Sequence, residues 1–258
     1  TQVEEIIVRN GRAAGVRLRK GEELQADLVV SNADPKTTLL RLLGARHLEA
    51  EFARRVQHLR AVGTAAKLHL ALSGRPQFRG LPAAQLGERL VIAPDLDYIE
   101  RAFNPAKYGE FSDRPVMEIT LPSLHDASLA PAGHEVLSAV VQYAPYDLKG
   151  GWAAGKERFL AAIMAVLEEH APGIGALVRH AELLTPLDIE QQFGITGGHW
   201  HHGELSLDQF MMLRPVVGAA QYSMPVDGLY LCGAGCHPGG GVMGSAGRNA
   251  ARVICGGR

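Results

Sequence analysis

Cysteine is scarce: Cys232, Cys236 and Cys255 are the three among 258 residues. An odd number gathered toward one end is not a disulfide framework, and it points to a reducing compartment, the cytoplasm. Long apolar runs are missing as well. No segment reaches the roughly 18 apolar residues of a membrane helix, so no transmembrane segment is expected. Nor does charge of one sign dominate: 26 Lys and Arg stand against 27 Asp and Glu, a formal charge of −1 with histidine neutral. That balance gives no electrostatic footprint for nucleic acid or an acidic membrane, and no nucleic-acid partner is expected. The first residues, Thr1-Gln2-Val3-Glu4-Glu5-Ile6-Ile7-Val8, carry neither a basic nor an apolar leader region, and they read as a strand entered in mid-fold. Two phosphate-binding signatures are also lacking, a Gly-x-Gly-x-x-Gly heading a βαβ unit and a P-loop with its Lys-Ser/Thr.

What remains is an ordinary globular mixture, 47% hydrophobic and 21% charged, with room for a core. The length suits one large domain or two small ones. Asn10-Gly11 lies between the β-rich runs Ile6-Ile7-Val8 and Ala14-Gly15-Val16-Arg17-Leu18 and predicts a hairpin. A second turn at Lys20-Gly21 leads to Ala26-Asp27-Leu28-Val29-Val30, expected to close a three-stranded meander as a strand buried on both faces. Asp34 or Asn32 can then cap a helix through Leu39, Leu40, Leu42 and Leu43, with Pro35 in its first turn. Residues 61–72, 116–121 and 136–141 alternate as strands between Pro- and Gly-marked loops and predict a mostly antiparallel sheet. Lys156 to Glu169 places Phe159, Leu160, Ile163, Val166 and Leu167 on one helical face.

Glycine is distributed unevenly. Residues 197–258 hold 14 of the 30 glycines, and eight fall between Gly228 and Gly247. Leu229-Tyr230-Leu231-Cys232 reads as a strand that runs into a glycine loop from Gly233, and the second half of the stretch, with small residues Gly244, Ala246, Gly247, Ala250 and Ala251, as helix. Strand, glycine loop and helix together aim backbone N–H groups at an anionic or electron-rich ligand, and a nucleotide cofactor fits that arrangement. A tight structural turn is the other reading of the same glycines.

The run Gly233-Ala234-Gly235-Cys236-His237-Pro238-Gly239-Gly240-Gly241-Val242-Met243-Gly244 resembles the C-terminal flavin-binding signature of phytoene desaturases and their phytoene-dehydrogenase-like relatives. Residues 26–35 are similar to the strand by which that family returns to its FAD domain. Residues 197–205, followed by Leu213-Arg214-Pro215, resemble one branch of the family.

The resemblance implies a FAD-dependent oxidoreductase that moves a hydride from a substrate C–H bond to flavin. The fold class it implies is mixed α/β: part of a Rossmann-like FAD-binding domain, and a substrate domain on a mostly antiparallel sheet flanked by helices. The FAD-side pieces would be residues 1–45 and 222–258 and the substrate domain 46–221. The family's N-terminal dinucleotide-binding unit has no counterpart here, so the chain is expected to be a C-terminal portion, binding FAD poorly by itself. The implied cofactor contacts are the backbone of Val3 near the adenine, and Gly233, Ala234, Gly240, Gly241, Val242 and Met243 along the ribityl chain and the ring. Related amine oxidases carry an acidic residue where Ala234 stands, which weighs against a side-chain contact there. A helix beginning near Val242 would stabilise negative charge on the reduced ring. The expected substrate is a small molecule, apolar or partly so, and a peripheral membrane contact that feeds it stays open. The alternative is a non-catalytic binding module that kept the fold and lost the cofactor.

Other residue clusters are weaker. His199, His201 and His202 would need further ligands from elsewhere to chelate, and no metal is expected. They stand either as pocket lining or as plain loop histidines; if one of this segment touches substrate, Trp200 and His202 are the candidates. Cys232, Cys236 and His237 lack zinc-knuckle spacing, and a nucleophilic cysteine would need a lowered pKa. Glu168 and Glu169 read as a solvated helix end. Arg214-Pro215 reads either as a pocket frame or as one side of a surface salt bridge.

Overall fold

The structure is a computed structural model, and it describes residues 1–256. Ten strands follow in chain order: β1 Val3–Arg9, β2 Arg12–Leu18, β3 Glu23–Gln25, β4 Val29–Ser31, β5 Ala65–Leu72, β6 Leu90–Ile92, β7 Val116–Thr120, β8 Glu135–Gln142, β9 Val178–Leu184 and β10 Leu229–Leu231. The α-helices are α1 Ala50–His58, α2 Leu96–Phe103, α3 Trp152–His170, α4 Ile174–Leu177, α5 Pro186–Phe193 and α6 Ser245–Ile254. Two compact units divide the chain: Thr1–Val62 with Phe193–Arg258, and Gly63–Gln192. The last two positions of the expected 222–258 piece lie outside the described residues.

In the first unit, β1 and β2 pair antiparallel, with Arg9 opposite Arg12. Asn10 and Gly11 both take positive φ (53° and 77°) between them. That is the two-residue turn whose twist suits a hairpin, and Asn-Gly is the pair that tolerates it. Gly15 faces Gln25 across the β2–β3 pairing, and a Cβ there would run into the Leu24 carbonyl. The close approach of β3 therefore requires glycine at this position.

The third meander strand differs from the expectation. It is Glu23–Gln25, while Val29–Ser31 leaves the meander and pairs parallel with β10, Val29 opposite Leu229. Nor is β4 buried on both faces, since Val29 is buried and Val30 is 47% exposed. The apolar run reflected a short strand with one buried position, which periodicity alone does not separate from a central strand.

Asp34 supplies the cap after β4: its Oδ1 accepts from the Thr37 N–H at 3.0 Å. The segment that follows, Thr37–Leu42, winds as a π-helix, and Leu43 donates to the Thr38 carbonyl. Leu39 and Leu43 enter the core of this unit beside Ile6, Val56, Leu229 and Leu231. Helix α6 contributes Ala246 and Ala250 to the same core, small side chains at i, i+4 that let its backbone approach the β4–β10 pair.

The second unit is a five-stranded antiparallel sheet in the order β6-β7-β8-β5-β9. On β5, Ala66, Leu68, Leu70 and Leu72 are buried while the intervening residues are not. The matching inward residues of β8 are Leu137, Ala139 and Val141. Helix α3 lays Trp152, Phe159, Ile163, Val166 and Leu167 into the same core. It begins four residues earlier than its apolar period indicates, because the Trp152 indole donates to the carbonyls of Pro145 and Tyr146 (3.0 and 3.2 Å) and locks the first turn. The solvated end expected at Glu168 is partly used: its carboxylate accepts from the Gly173 and Gly175 N–H groups and holds the turn into α4.

Candidate functional site

The site grows out of the parallel β4–β10 pair. Beyond β10 the pairing continues for one more bond, Cys232 N–H to the Ser31 carbonyl at 2.9 Å. The chain then enters the glycine loop. At Gly233 a Cβ would sit 2.7 Å from the Asn32 carbonyl and side-chain oxygens, so the crossing of the two segments demands glycine. Gly235 is closed in the same way by Pro35, 2.6 Å from such a Cβ. At Gly240 the obstruction is the His201 imidazole.

Left-handed backbone follows at Gly239, Gly241, Val242 and Gly244, with φ of 121°, 113°, 60° and 65°. Valine at positive φ is strained, because its branched Cβ crowds the neighbouring carbonyl. Its side chain is fully exposed, and that of Met243 is 64% exposed. Helix α6 starts after Gly244, three residues later than expected, because Val242 and Gly244 in the left-handed region cannot be helical. Gly244 offers it no side-chain cap, and its first turn holds no acidic residue. The positive end of α6 is thus presented without a protein anion of its own.

These elements enclose a cleft of about 480 Å³. Gly233, Ala234, Gly240, Gly241, Val242 and Met243 all line it, together with Asn32, Trp200 and His201. His202 is not in the lining; it sits behind Gly235, and its N–H donates to the His199 carbonyl at 2.7 Å. Val3 lies elsewhere in the same unit, in a separate concavity of about 360 Å³ with Arg19 and Arg41.

Three features of this neighbourhood carried little or no sequence signal. His201, not singled out within its His-x-His-His cluster, is the histidine that reaches the cleft. Arg214 is neither at the surface nor in a salt bridge among the described residues: it is 1% exposed and spends its N–H groups on carbonyls. Its Nη2 donates to His201 (2.5 Å) and Ala234 (3.1 Å), and its Nη1 to Glu204 (3.1 Å) and Gln209 (3.2 Å). Both also reach the Gly203 carbonyl at 3.4 Å. Gln209, third, is buried and bonds both backbone groups of Arg60.

The electrostatics of the histidine segment follow from burial. His199 falls to about 4, driven first by burial and then by His201 and Arg214. Burial lowers His201, with Arg214 adding to it; burial also lowers His202, where Asp34 opposes the shift. All three imidazoles are therefore neutral at pH 7. Burial pushes the Cys236 thiol up to about 12, which leaves it unreactive. Among the described residues, no group of three or more His, Cys, Asp or Glu is arranged to hold a metal ion.

No family model matches the chain. Pyridine nucleotide-disulfide oxidoreductase domain-containing protein 2 of Rattus norvegicus is 40% identical over 255 residues, 95% of this chain and 44% of the relative. A neurosporene-forming phytoene desaturase of Cereibacter sphaeroides is 31% identical over 254 residues, 96% of this chain and 46% of its own. The chain is phytoene-desaturase-like. Solved structures carry the likeness to the fold. An oxidoreductase from Methanosarcina mazei aligns over 98% of this chain and 48% of its own with a TM-score of 0.56 at 19% identity. Cyclohexylamine oxidase from Brevibacterium oxydans aligns over 98% and 47% with a TM-score of 0.57 at 15% identity. At those identities they show the shared mixed α/β, Rossmann-like fold alone. The phytoene-desaturase-like chain spans less than half the length of the curated relatives it matches. Among its described residues, no helix is long and apolar enough to cross a membrane.

Proposed function

We propose that the phytoene-desaturase-like chain is the flavin-facing part of a FAD-dependent oxidoreductase that removes hydride from a C–H bond of an apolar or partly apolar small molecule. The observation that carries this reading is the glycine cleft, where Cβ-free positions Gly233 and Gly240 meet an uncapped helix N-terminus. A polar, planar, electron-accepting ligand fits such a cleft, because backbone approaches it closely and N–H groups face it without a competing carboxylate. When bound, FAD would supply the hydride acceptor.

The chain's own residues would bind, orient and exclude water. We assign cofactor contacts to Gly233, Ala234, Gly240, Gly241, Val242 and Met243 in the cleft, and to the backbone of Val3 in the second concavity. Trp200 would form an apolar wall of the substrate pocket, with His202 supporting its turn from behind. The five-stranded unit would be the substrate domain. An apolar substrate is favoured by the names of the relatives, which include phytoene desaturases and one chain of a limonene dehydrogenase. The three free cysteines support a reducing compartment such as the cytoplasm.

The test is a visible absorption spectrum of the purified product of the complete reading frame. Flavin bands that bleach under dithionite and return in air are expected. A protein that stays colourless after FAD is added would overturn this reading and leave a cofactor-free binding module.

A further inference from the structure

A guanidinium without a counter-ion lies directly beneath the cleft. Arg214 is 1% exposed, and among the described residues no carboxylate pairs with it. Its acceptors are the neutral carbonyls of His201, Gly203, Glu204, Gln209 and Ala234. Its Nε has no acceptor at all among the described residues. Carbonyl dipoles orient and solvate the group but leave its full positive charge in place. A buried charge of this kind is costly unless an opposite charge comes near it.

That charge lies behind the cleft's wall. Two of the acceptor residues, His201 and Ala234, themselves line it. Gly239, a third lining residue, presents its Cβ direction 3.9 Å from the unpartnered Nε. Among the described residues no carboxylate forms an ion pair with Arg214; that of Glu204, whose carbonyl it holds, pairs with Arg60. His199, His201 and His202 are neutral at pH 7 and Cys236 is a protonated thiol. Asp34 is held by Thr37 and Thr196 and keeps its negative charge, which acts on His202; it makes no ion pair with Arg214.

We infer that Arg214 is a positioning residue whose uncompensated charge also makes the glycine cleft selective for the anionic state of its ligand. The inference rests on the flavin reading and deepens it. On that reading the cofactor is bound more tightly with its ring reduced and anionic than with its ring oxidised and neutral. The same residue fixes the loop, since one planar group tethers residues 201–209 to Ala234 through bonds that no other side chain can make together.

The experiment is a spectroelectrochemical titration of the holoprotein from the complete reading frame, wild type against Arg214→Lys and Arg214→Met. In the wild type, the midpoint potential should lie above that of free FAD. Arg214→Met should weaken the preference for the reduced form at least tenfold, about 30 mV for a two-electron couple. Arg214→Lys cannot reproduce the fan of bonds but keeps the charge, and its potential should stay near the wild type. A purely structural role would instead make the two variants behave alike, because both lose the fan. Equal shifts, or no shift in either variant with flavin bound, would overturn the inference while leaving the flavin reading intact. Should the methionine variant not fold, a wild-type potential at or below that of free FAD overturns it equally. A wild type that takes up no FAD overturns both.

Discussion

Asp34 and Thr196 stand 162 residues apart in sequence and are joined by two hydrogen bonds. The Thr196 hydroxyl donates to Asp34 Oδ1 at 2.8 Å, and its N–H donates to Oδ2 at 3.2 Å. The same carboxylate caps Thr37. One buried acid therefore fixes both the exit from β4 and the start of the histidine segment that reaches the cleft. Removing it strands buried donors, so Asp34→Ala should destabilise the protein by about 2 kcal/mol. Chemical denaturation of the two proteins side by side would measure this, and an unchanged midpoint would show that the pair contributes nothing.

Acid should unfold the first unit in two stages. Burial raises the Asp34 carboxyl, but hydrogen bonds from Thr37 and Thr196 outweigh it and the net shift is downward. Its contribution is complete above 3.8 and is lost as pH falls through the lower, folded value. The histidines act earlier. His199 binds its proton at about 6.5 when unfolded and at about 4 when folded, so the unfolded chain takes up protons first as pH falls through that window. His201 and His202 shift in the same direction. Thermal midpoints should therefore hold near pH 7, decline between about pH 6.5 and 4, and decline again below. His199→Gln should flatten the upper stage.

Two glycine substitutions should separate ligand binding from folding. A Cβ at Gly240 meets the His201 imidazole at Nδ1 and Cγ and the Ala234 Cβ, side-chain atoms rather than backbone. Gly240→Ala should cost about 1 kcal/mol of stability and, on the proposed flavin reading, abolish flavin uptake by the product of the complete reading frame. A Cβ at Gly233 meets the Asn32 backbone, which cannot turn away. Gly233→Ala should cost about 3 kcal/mol. Melting curves read beside flavin absorbance distinguish the two, and equal stability losses would contradict the geometry.

Val242 should be replaceable at a gain in stability. Its φ of 60° is unfavourable for a branched residue, and its fully exposed side chain recovers no burial. Val242→Gly should stabilise the protein by about 1 kcal/mol. If Val242 contacts the ligand, as proposed, the same change should weaken flavin affinity, a pairing that equilibrium dialysis and thermal melts would reveal together.

The thiols should react in an order set by exposure. Cys255 is exposed, Cys232 is half-buried with its pKa raised by burial, and Cys236 is buried with a pKa near 12. A colorimetric thiol reagent should find one fast group in the native protein, and Cys255→Ser should remove it. A fast phase that survives in Cys255→Ser but not in Cys236→Ser would restore the nucleophile reading.

Elements carried by local chemistry were legible in the sequence: the Asn10-Gly11 turn, the apolar face of α3, the alternation in β5, β7 and β8, and the strand–glycine–helix order around β10 and α6. Each depends on residues a few positions apart, where turn preference and period act directly. The helices α1, α2 and α5 and the strand β9 went unread, because runs of seven to nine residues are too short for their period to stand out.

The site divides along the same line. Sequence alone determined that residues 233–244 form one glycine-rich loop ahead of a helix, since close backbone approach and positive φ leave glycine as the residue that fits. It could not choose between His201 and His202, adjacent residues that the turn at His199–His202 sends to different surroundings. Nor could it tell that Val29–Ser31 leaves the meander to pair with a strand 200 residues later. The buried state of Arg214 was decided by tertiary structure alone. A lone arginine before a proline carries no local sign of burial; carbonyls from five residues must converge on it first, and only the folded chain brings Ala234 to His201.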